Sequence, residues 1–411
     1  MKIALFSQWA PPEPANIVGS LAVELGLRGH HVDYVTGYPN YPGGRIYDGY
    51  RMRWRTVEND GMVRTLRVPL YPSHDRSAAR RIANYVSYGV SASTIGLASI
   101  GRPDVAYVYH PPATAAWPAR LLRRFRSIPF VLHIQDLWPE SVSSAGMLGE
   151  GALSKVCERS VERMCLATYR AASHIIVISP GFKDALVSRG VDAEKISVVM
   201  NWTDERTYRP CAPSKSAREE VGPSGHRVVL YAGNLGDYQG LDAAVRAAAT
   251  VGREAKLHLT LIGDGIARAR LEELVRAIGA NNVWILGRRP PSEMPVLLSA
   301  ADAHLVSLVD LPFFGVTIPG KTQVALAMGR PSIVAVRGHA ARLVDGANAG
   351  ICCEPGEAGL EGALRLLCHL SDDEVVSMGN SGRDYYLKHL SMDRGVSAVE
   401  SLMLAVSNSI S

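Results

Sequence analysis

The 411-residue sequence predicts two α/β domains, each a doubly wound parallel sheet. Three observations lead there. Short β-branched or apolar runs alternate with amphipathic helical stretches along the chain, the pattern of buried parallel strands joined by crossover helices. The alternation comes in two series, separated by 201-NWTDERTYRPCAPSKSAREEVGPSGH-226, which is rich in proline, serine and charge and has no periodicity. The length also exceeds what one hydrophobic core organises and divides into halves of about 200 residues. The expected boundaries are 1–200 for the first domain, 201–226 for a linker and 227–383 for the second, with a C-terminal helix over 384–406 free to pack back on the first domain.

The first series runs KIALFS, a helix through Leu21 to Arg28, HVDYVTG, DVAYVYH, PFVLHIQ and HIIVIS. The second runs RVVLYAG, HLTLIGDG, VWILG, AHLVSLV and PSIVAV, again with helices between. MKIALFSQWAPPE carries one charge and a short apolar run before its prolines, so it reads as a buried first strand rather than a signal peptide. Open α/β sheets bind ligands outside the carboxyl ends of their strands. A site shared across a cleft between the domains is therefore expected in the loops after Ser7, His110, Gln135, Gly233, Gly287 and Val309.

Apolar residues make up 47% and charged residues 20%, ordinary for a globular protein and too apolar for disorder. The formal charge of +5 is concentrated at Arg120, Arg123, Arg124 and Arg126 and at Arg76, Arg80 and Arg81. Neither cluster is dense enough for nucleic acid; each reads as a solvated helix face or as a patch for anionic lipid or a phosphorylated acceptor. The six cysteines (Cys157, Cys165, Cys211, Cys352, Cys353, Cys368) show no CxxC or zinc spacing, which points to reduced structural thiols in a cytoplasm. No window reaches the roughly 18 apolar residues of a spanning helix, so any membrane contact must be peripheral.

Several local patterns carry chemistry. The stretch 229-VLYAGNLGDYQGLDAAVRAAA-249 is a strand, a glycine turn and a helix, a shape that either cradles a pyrophosphate or simply turns the chain. It is neither a GxGxxG fingerprint nor a P-loop. The stretch 260-TLIGDGIARARLEELV-275 repeats the shape. In 312-PFFGVTIPGKTQVALAMGRPSIVAV-336, a helix opens on Gly320, Lys321 and Thr322. Free N–H groups, the dipole and the Lys321 charge make an anion site there. His110 ends the strand DVAYVYH before two prolines, where an imidazole can polarise or deprotonate a hydroxyl near neutral pH or serve only as a core residue. Asp136 follows PFVLHIQ as a second candidate base or a turn carboxylate, with Glu140 a weaker one.

Taken together, PPEP (11–14), LRGHHVDYVTGYPNYPGGRIYDGY (27–50), YHPPAT (109–114), QDLWPES (135–141), SPGFKDALVSRGV (179–191), NWTD (201–204), YAGNLGDYQGL (231–241), GDG (263–265), LGR (286–288), IPGKT (318–322) and MGRPSI (328–333) resemble the family 4 glycosyltransferases of GT-B fold, in particular those of colanic-acid and O-antigen assembly. The resemblance covers nearly the whole length. It implies two Rossmann-like domains facing across a cleft. It also implies a nucleotide-sugar donor, expected to be UDP-linked, on the C-terminal domain, and a lipid-linked saccharide or small-molecule acceptor on the N-terminal one. No cofactor, metal or nucleic acid is implied, and transfer is expected to be retaining. By this resemblance His110 and Asp136 are the catalytic candidates. Gly233, Asn234, Gln239, Gly240, Arg288, Gly320, Lys321, Thr322 and Val324 line the donor site, and Asn16, Ile17 and Tyr41 the acceptor site. The expected location is the cytoplasm, with a peripheral place on the inner membrane face left open.

The chain departs from the family pattern where charge would be expected. The family's Glu, seven residues, Glu spacing falls on Val316 and Val324. The glycine loop after the first strand is Ala15-Asn16-Ile17-Val18, the usual Arg and Lys after the first strand of the second domain are Asn234 and Gln239, and GHAARLV (338–344) lacks an acidic residue. Lys321 and Arg288 are left to carry the diphosphate charge. The departures keep two other readings open: a nucleotide-sugar epimerase on the same fold, and a pseudo-glycosyltransferase or non-catalytic binding protein.

Overall fold

A computed structural model describes residues 1–73, 77–140 and 152–408. Arg76 and Ser141 of the sequence motifs, and the Cys157 side chain, lie outside the described residues. The chain forms two compact units, one of Met1–Met200 with Asp393–Ser411 and one of Asn201–Met392.

The first unit is built on an eight-stranded sheet in the order β3-β4-β2-β1-β5-β6-β7-β8. Its strands are β1 (Lys2–Phe6), β2 (His31–Gly37), β3 (Thr56–Asp60), β4 (Val63–Val68), β5 (Val105–His110), β6 (Phe130–Ile134), β7 (His174–Val177) and β8 (Ile196–Val198). All neighbours are parallel except β3 and β4. β1 lies at the centre, with Ile3 opposite both Val32 and Val105. Its apolar residues Ile3 to Phe6 are buried, as a strand covered on both faces requires. The β3–β4 ribbon is absent from the expected series because TVEND has four exposed residues of five and no apolar run to mark it. The helices used below are α1 (Asn16–Leu27), α2 (Ala78–Ser91), which continues through a wider π turn at Ala92–Gly96, α3 (Trp117–Arg126) and α4 (Ala152–Ala171).

The second unit carries six strands, all parallel, in the order β11-β10-β9-β12-β13-β14. They are β9 (Arg227–Asn234), β10 (Leu257–Asp264), β11 (Val283–Leu286), β12 (Ala303–Ser307), β13 (Ser332–Ala335) and β14 (Gly350–Cys352). One side of the sheet buries Val229, Tyr231, Leu259 and Leu261 against the alanine-rich helix α6 (Leu241–Val251), numbered after α5 (Lys215–Val221). Two further helices are α7 (Gly320–Ala327) and α8 (Asp372–His389).

Two expectations about connections need correction. The 201–226 stretch is part of the second unit, because α5 is capped by the Ser214 hydroxyl, which accepts from the Ala217 N–H at 3.1 Å, and buries Ala217 and Val221 in that unit's core. The single helix expected over 384–406 is two, α8 and α9 (Met392–Asn408), parted at Leu390 and Ser391. α8 holds to the second unit through the Tyr386 hydroxyl, which donates to the Thr203 carbonyl at 2.9 Å. α9 belongs to the first, where Arg28 pairs with Asp393 and Glu400, each at 2.6 Å.

In each sheet the strand order reverses beside the first strand of the unit, between β1 and β5 and between β9 and β12. That switch point opens a crevice at the carboxyl ends of the strands. His110 ends β5, and Gly233 and Asn234 end β9.

Candidate active site

In the second unit the crevice is formed from backbone and one cation. Gly233 has φ +142, and a Cβ there would meet Lys321 Cε at 2.9 Å, so the lysine side chain lies directly on the glycine. Gly263, one strand over, has φ +145; a Cβ on it would sit 1.8 Å from the Gly233 carbonyl oxygen. Only glycine fits where these two strands end. Gly240 caps α6 in the left-handed region with φ +63. Asn234 is exposed in the turn between.

Lys321 is the second residue of α7, after Pro319 and Gly320, in its first turn, where the Thr322 N–H donates to the Pro319 carbonyl at 2.9 Å. Its Nζ donates to Gln239 Oε1 at 3.2 Å and lies 4.8 Å from the centre of the Tyr231 ring. The Tyr231 hydroxyl donates to the same Gln239 oxygen at 2.9 Å and to the Asn234 carbonyl at 2.6 Å. Among the described residues no carboxylate pairs with Lys321, and burial brings its pKa down to about 8. A bound anion would relieve that desolvation penalty.

The other donor candidates divide. Thr322 is fully buried with no partner for its hydroxyl, and Gln323 beside it is buried with its side-chain oxygen unpaired. Val324 is partly buried and packs against the core cluster that includes Val228, Leu230 and Met328. Val316 ends the short turn Pro312–Val316. Arg288 does not join Lys321: its side chain is 71% exposed and stands 4.0 Å from Asp264.

In the first unit the crevice is formed from aromatic and titratable side chains. His110 is buried, packs edge-on against Trp138 with ring centroids 5.6 Å apart, and offers two ring nitrogens without a partner. Burial pushes its pKa down to about 4, offset in part by its own backbone carbonyl, so the imidazole is neutral at pH 7. Asp136, just past β6, is raised to about 6 by desolvation. Burial raises the hydroxyl pKa values of Tyr41, Tyr85 and Tyr109, and the Asp136 charge adds to each. Tyr85 also stacks near Trp138, at 5.9 Å. Glu140 is not part of this group, because it is bound by the Arg189 guanidinium. Asn16 and Ile17 open α1, Asn16 exposed and Ile17 half-buried, after an Ala15 cap whose side chain cannot accept a hydrogen bond.

A residue absent from the sequence-based set organises this side. Glu13 is buried and accepts from the N–H groups of Asn40 and Tyr41, each at 2.8 Å, and of Ala10 at 3.2 Å. Burial raises its pKa; the three N–H groups and the Arg67 charge act against that. The Glu13 carboxylate thus fixes Tyr41, whose ring lies 5.4 Å from that of Trp9. Its signal in the sequence was a lone acidic residue among the prolines of PPEP.

The second unit thus has a strand-end crevice with a buried lysine, and the first has one with a neutral imidazole and a carboxyl of raised pKa. Residues 14–202 match the glycosyl transferase 4-like domain and residues 226–369 the glycosyl transferases group 1 domain. The chain belongs to this glycosyltransferase family and has the GT-B fold. Among its relatives, the putative colanic acid biosynthesis glycosyl transferase WcaI of Escherichia coli is 27% identical over 350 residues, which cover 82% of this chain and 84% of the relative. The N-acetyl-alpha-D-glucosaminyl L-malate synthase of Bacillus anthracis is 23% identical, covering 94% of this chain and 93% of its own. The structure of Anabaena Alr3699/HepE in complex with UDP superimposes with a TM-score of 0.72 at 16% identity, over 98% of this chain and all of that one (100%), a likeness of fold.

Proposed function

We propose that the enzyme transfers a sugar from a UDP-linked donor to a hydroxyl of a lipid-linked saccharide or small-molecule acceptor, without a metal and with retention of configuration. The observation that carries this reading is Lys321, lying on Gly233 at a helix N-terminus with, among the described residues, no carboxylate paired with it. The bond between the sugar carbon and the diphosphate oxygen breaks and a bond to the acceptor oxygen forms. The charge developing on the leaving diphosphate is met by Lys321 and the first N–H groups of α7, which supply the stabilisation that a divalent ion would otherwise give.

The first unit supplies the acceptor side. The neutral His110 holds one N–H and one lone pair free for a sugar or acceptor hydroxyl, and Asp136, ionised above pH of about 6, draws the acceptor proton away from the oxygen. The relative named for colanic acid assembly and the complex with UDP support the choice of acceptor and nucleotide. Among the described residues no helix is long and apolar enough to cross a membrane, so a lipid-linked acceptor would be met at the membrane surface.

The test is incubation of the purified chain with labelled UDP-sugars and an undecaprenyl-diphosphate-linked sugar in the presence of a chelator. Label moving to the lipid, with no change when the chelator is omitted, is expected. Donor converted to an epimer in the absence of acceptor, or no label leaving the donor under any condition, overturns the reading.

A further inference from the structure

In the first unit, the outward face of α2 and α3 carries an apolar groove of about 730 Å³, walled by Val90, Leu121, Trp117 and Ala171 and rimmed by Arg120, Arg123 and Arg124. It continues along α2 as a stripe of exposed apolar residues at helical spacing, Ile82, Val86 and Val90. Phe125 projects beside it, 75% exposed. A contiguous apolar groove and stripe left in water is not an ordinary solvated helix face.

The charge around it has one sign. No Asp or Glu occurs in 77–103 or in 105–135, the segments that hold α2, the π turn and α3. Among the described residues, none of Arg120, Arg123, Arg124 and Arg126 makes an ion pair, and Arg123 lies near enough to Lys195 to depress that lysine's pKa. Asp192 acts on the same lysine in the opposite sense, and among the described residues it is not paired with any of the four arginines.

The loop 51-RMRWR-55 adds a second, separate contribution. All five residues are exposed, Trp54 to 73%, and the arginines alternate with the apolar side chains. The loop is tied to the same helical layer, since Arg55 donates to the Ser99 hydroxyl at 3.0 Å, a few residues beyond the Ser93 and Thr94 that line the groove. Indole and methionine side chains between guanidinium groups suit the boundary of headgroups and acyl chains.

We propose that this face docks on the surface of an anionic bilayer, with the arginines on lipid phosphates and Trp54, Phe125 and the α2 stripe seated among the upper acyl carbons. A protein partner would have to be strongly acidic over the whole rim, whereas an anionic bilayer supplies negative charge and apolar depth together. The inference deepens the reading of a lipid-linked acceptor and rests on it for its purpose; the geometry stands without it.

The experiment is sedimentation of the full chain with vesicles of phosphatidylcholine alone and of equimolar phosphatidylcholine and phosphatidylglycerol. Binding to the anionic vesicles only, weakened by added salt, is expected. Arg123→Gln/Arg124→Gln/Arg126→Gln lowers the partition coefficient on the order of a hundredfold, about fivefold per charge, and Trp54→Ser lowers it by about tenfold or more. The charge-matched Arg246→Gln/Arg253→Gln/Arg276→Gln, on the second unit, is expected to lose little by comparison. Equal loss in the two triple variants, equal binding to both vesicle types, or a dimer in vesicle-free solution that Phe125→Glu dissociates would each overturn the proposal. UDP affinity of every variant is measured in solution, so a failure of donor binding bears on the proposed reaction and a failure of vesicle binding on this surface.

Discussion

The ends of β5 and β9 each border the switch point of a sheet, β9 as the first strand of its unit and β5 as the neighbour of the first strand, yet the crevices beside them are made of different material. At β9 the fixed parts are glycine backbone, a helix N-terminus and one lysine that no carboxylate pairs with among the described residues. At β5 they are side chains from distant segments, with Glu13 holding Tyr41 and with His110 against Trp138. A crevice for a diphosphate needs N–H groups and a cation, both of which backbone and a single residue can supply. A crevice that discriminates an acceptor hydroxyl and manages its proton needs positioned side chains with shifted pKa values. On this difference rests the proposal that the nucleotide binds the second unit and the proton is handled in the first.

The largest expected effect breaks the backbone side. Gly263→Ala places a methyl group 1.8 Å from the Gly233 oxygen at φ +145, so the two strand ends cannot both keep their positions. A loss of more than about 4 kcal/mol, or insoluble protein, is expected in urea unfolding. Gly320→Ala, with nothing within 4 Å of the new methyl, should stay within about 0.5 kcal/mol.

Next, Lys321→Met should weaken UDP binding by ~1.5 to 3 kcal/mol, the range of a charge-assisted hydrogen bond, in a calorimetric titration. The same substitution should not lower the melting temperature of the unliganded protein. Because folding lowers the lysine pKa from 10.5 to about 8, the charged form is penalised in the native state. That penalty is present at low pH and fades as pH rises from about 8 toward the unfolded value, so the parent gains stability over that window while the methionine variant does not.

On the side-chain side, His110→Ala should depress turnover by ~100-fold with UDP affinity nearly unchanged, because the imidazole belongs to the other unit. Asp136→Asn should lower turnover and remove an acid limb near pH of about 6, the value to which burial raises this carboxyl. A parent profile flat through that region would contradict the role given to it.

The smallest effect concerns the two valines. With Val316 and Val324 where the family resemblance places carboxylates, the account expects UDP and its deoxyribose analogues to bind within ~1 kcal/mol of one another, since no buried acceptor loses its donor. A strong preference for the ribo form would shift attention to Gln323, whose buried side-chain oxygen is unpaired.

Most of the parallel strands were legible, because buried β-branched runs between helical stretches have few other readings: RVVLYAG became β9 and HVDYVTG became β2. The β3–β4 ribbon was not, since its register is fixed by pairing rather than by apolar content. The helix opening at Gly320 was legible from its own residues, but the exposure of Arg288 was not, because the Asp264 beside it is 24 residues away in sequence. His110 and Asp136 were marked by their place after buried strands. Glu13 was missed because its partners, Asn40 and Tyr41, come near only through the β1–β2 pairing.

The central claim, that an unmatched Lys321 cation receives the donor diphosphate, is tested most directly by UDP affinity as a function of pH in the parent and in Lys321→Met. Titrations spanning about pH 6 to about pH 10 cross the lysine's lowered pKa of about 8. The account predicts that the parent's affinity falls as pH rises through and above that value while the variant's curve is weaker and flat over the same range. Two parallel curves, or equal affinities at neutral pH, would contradict it.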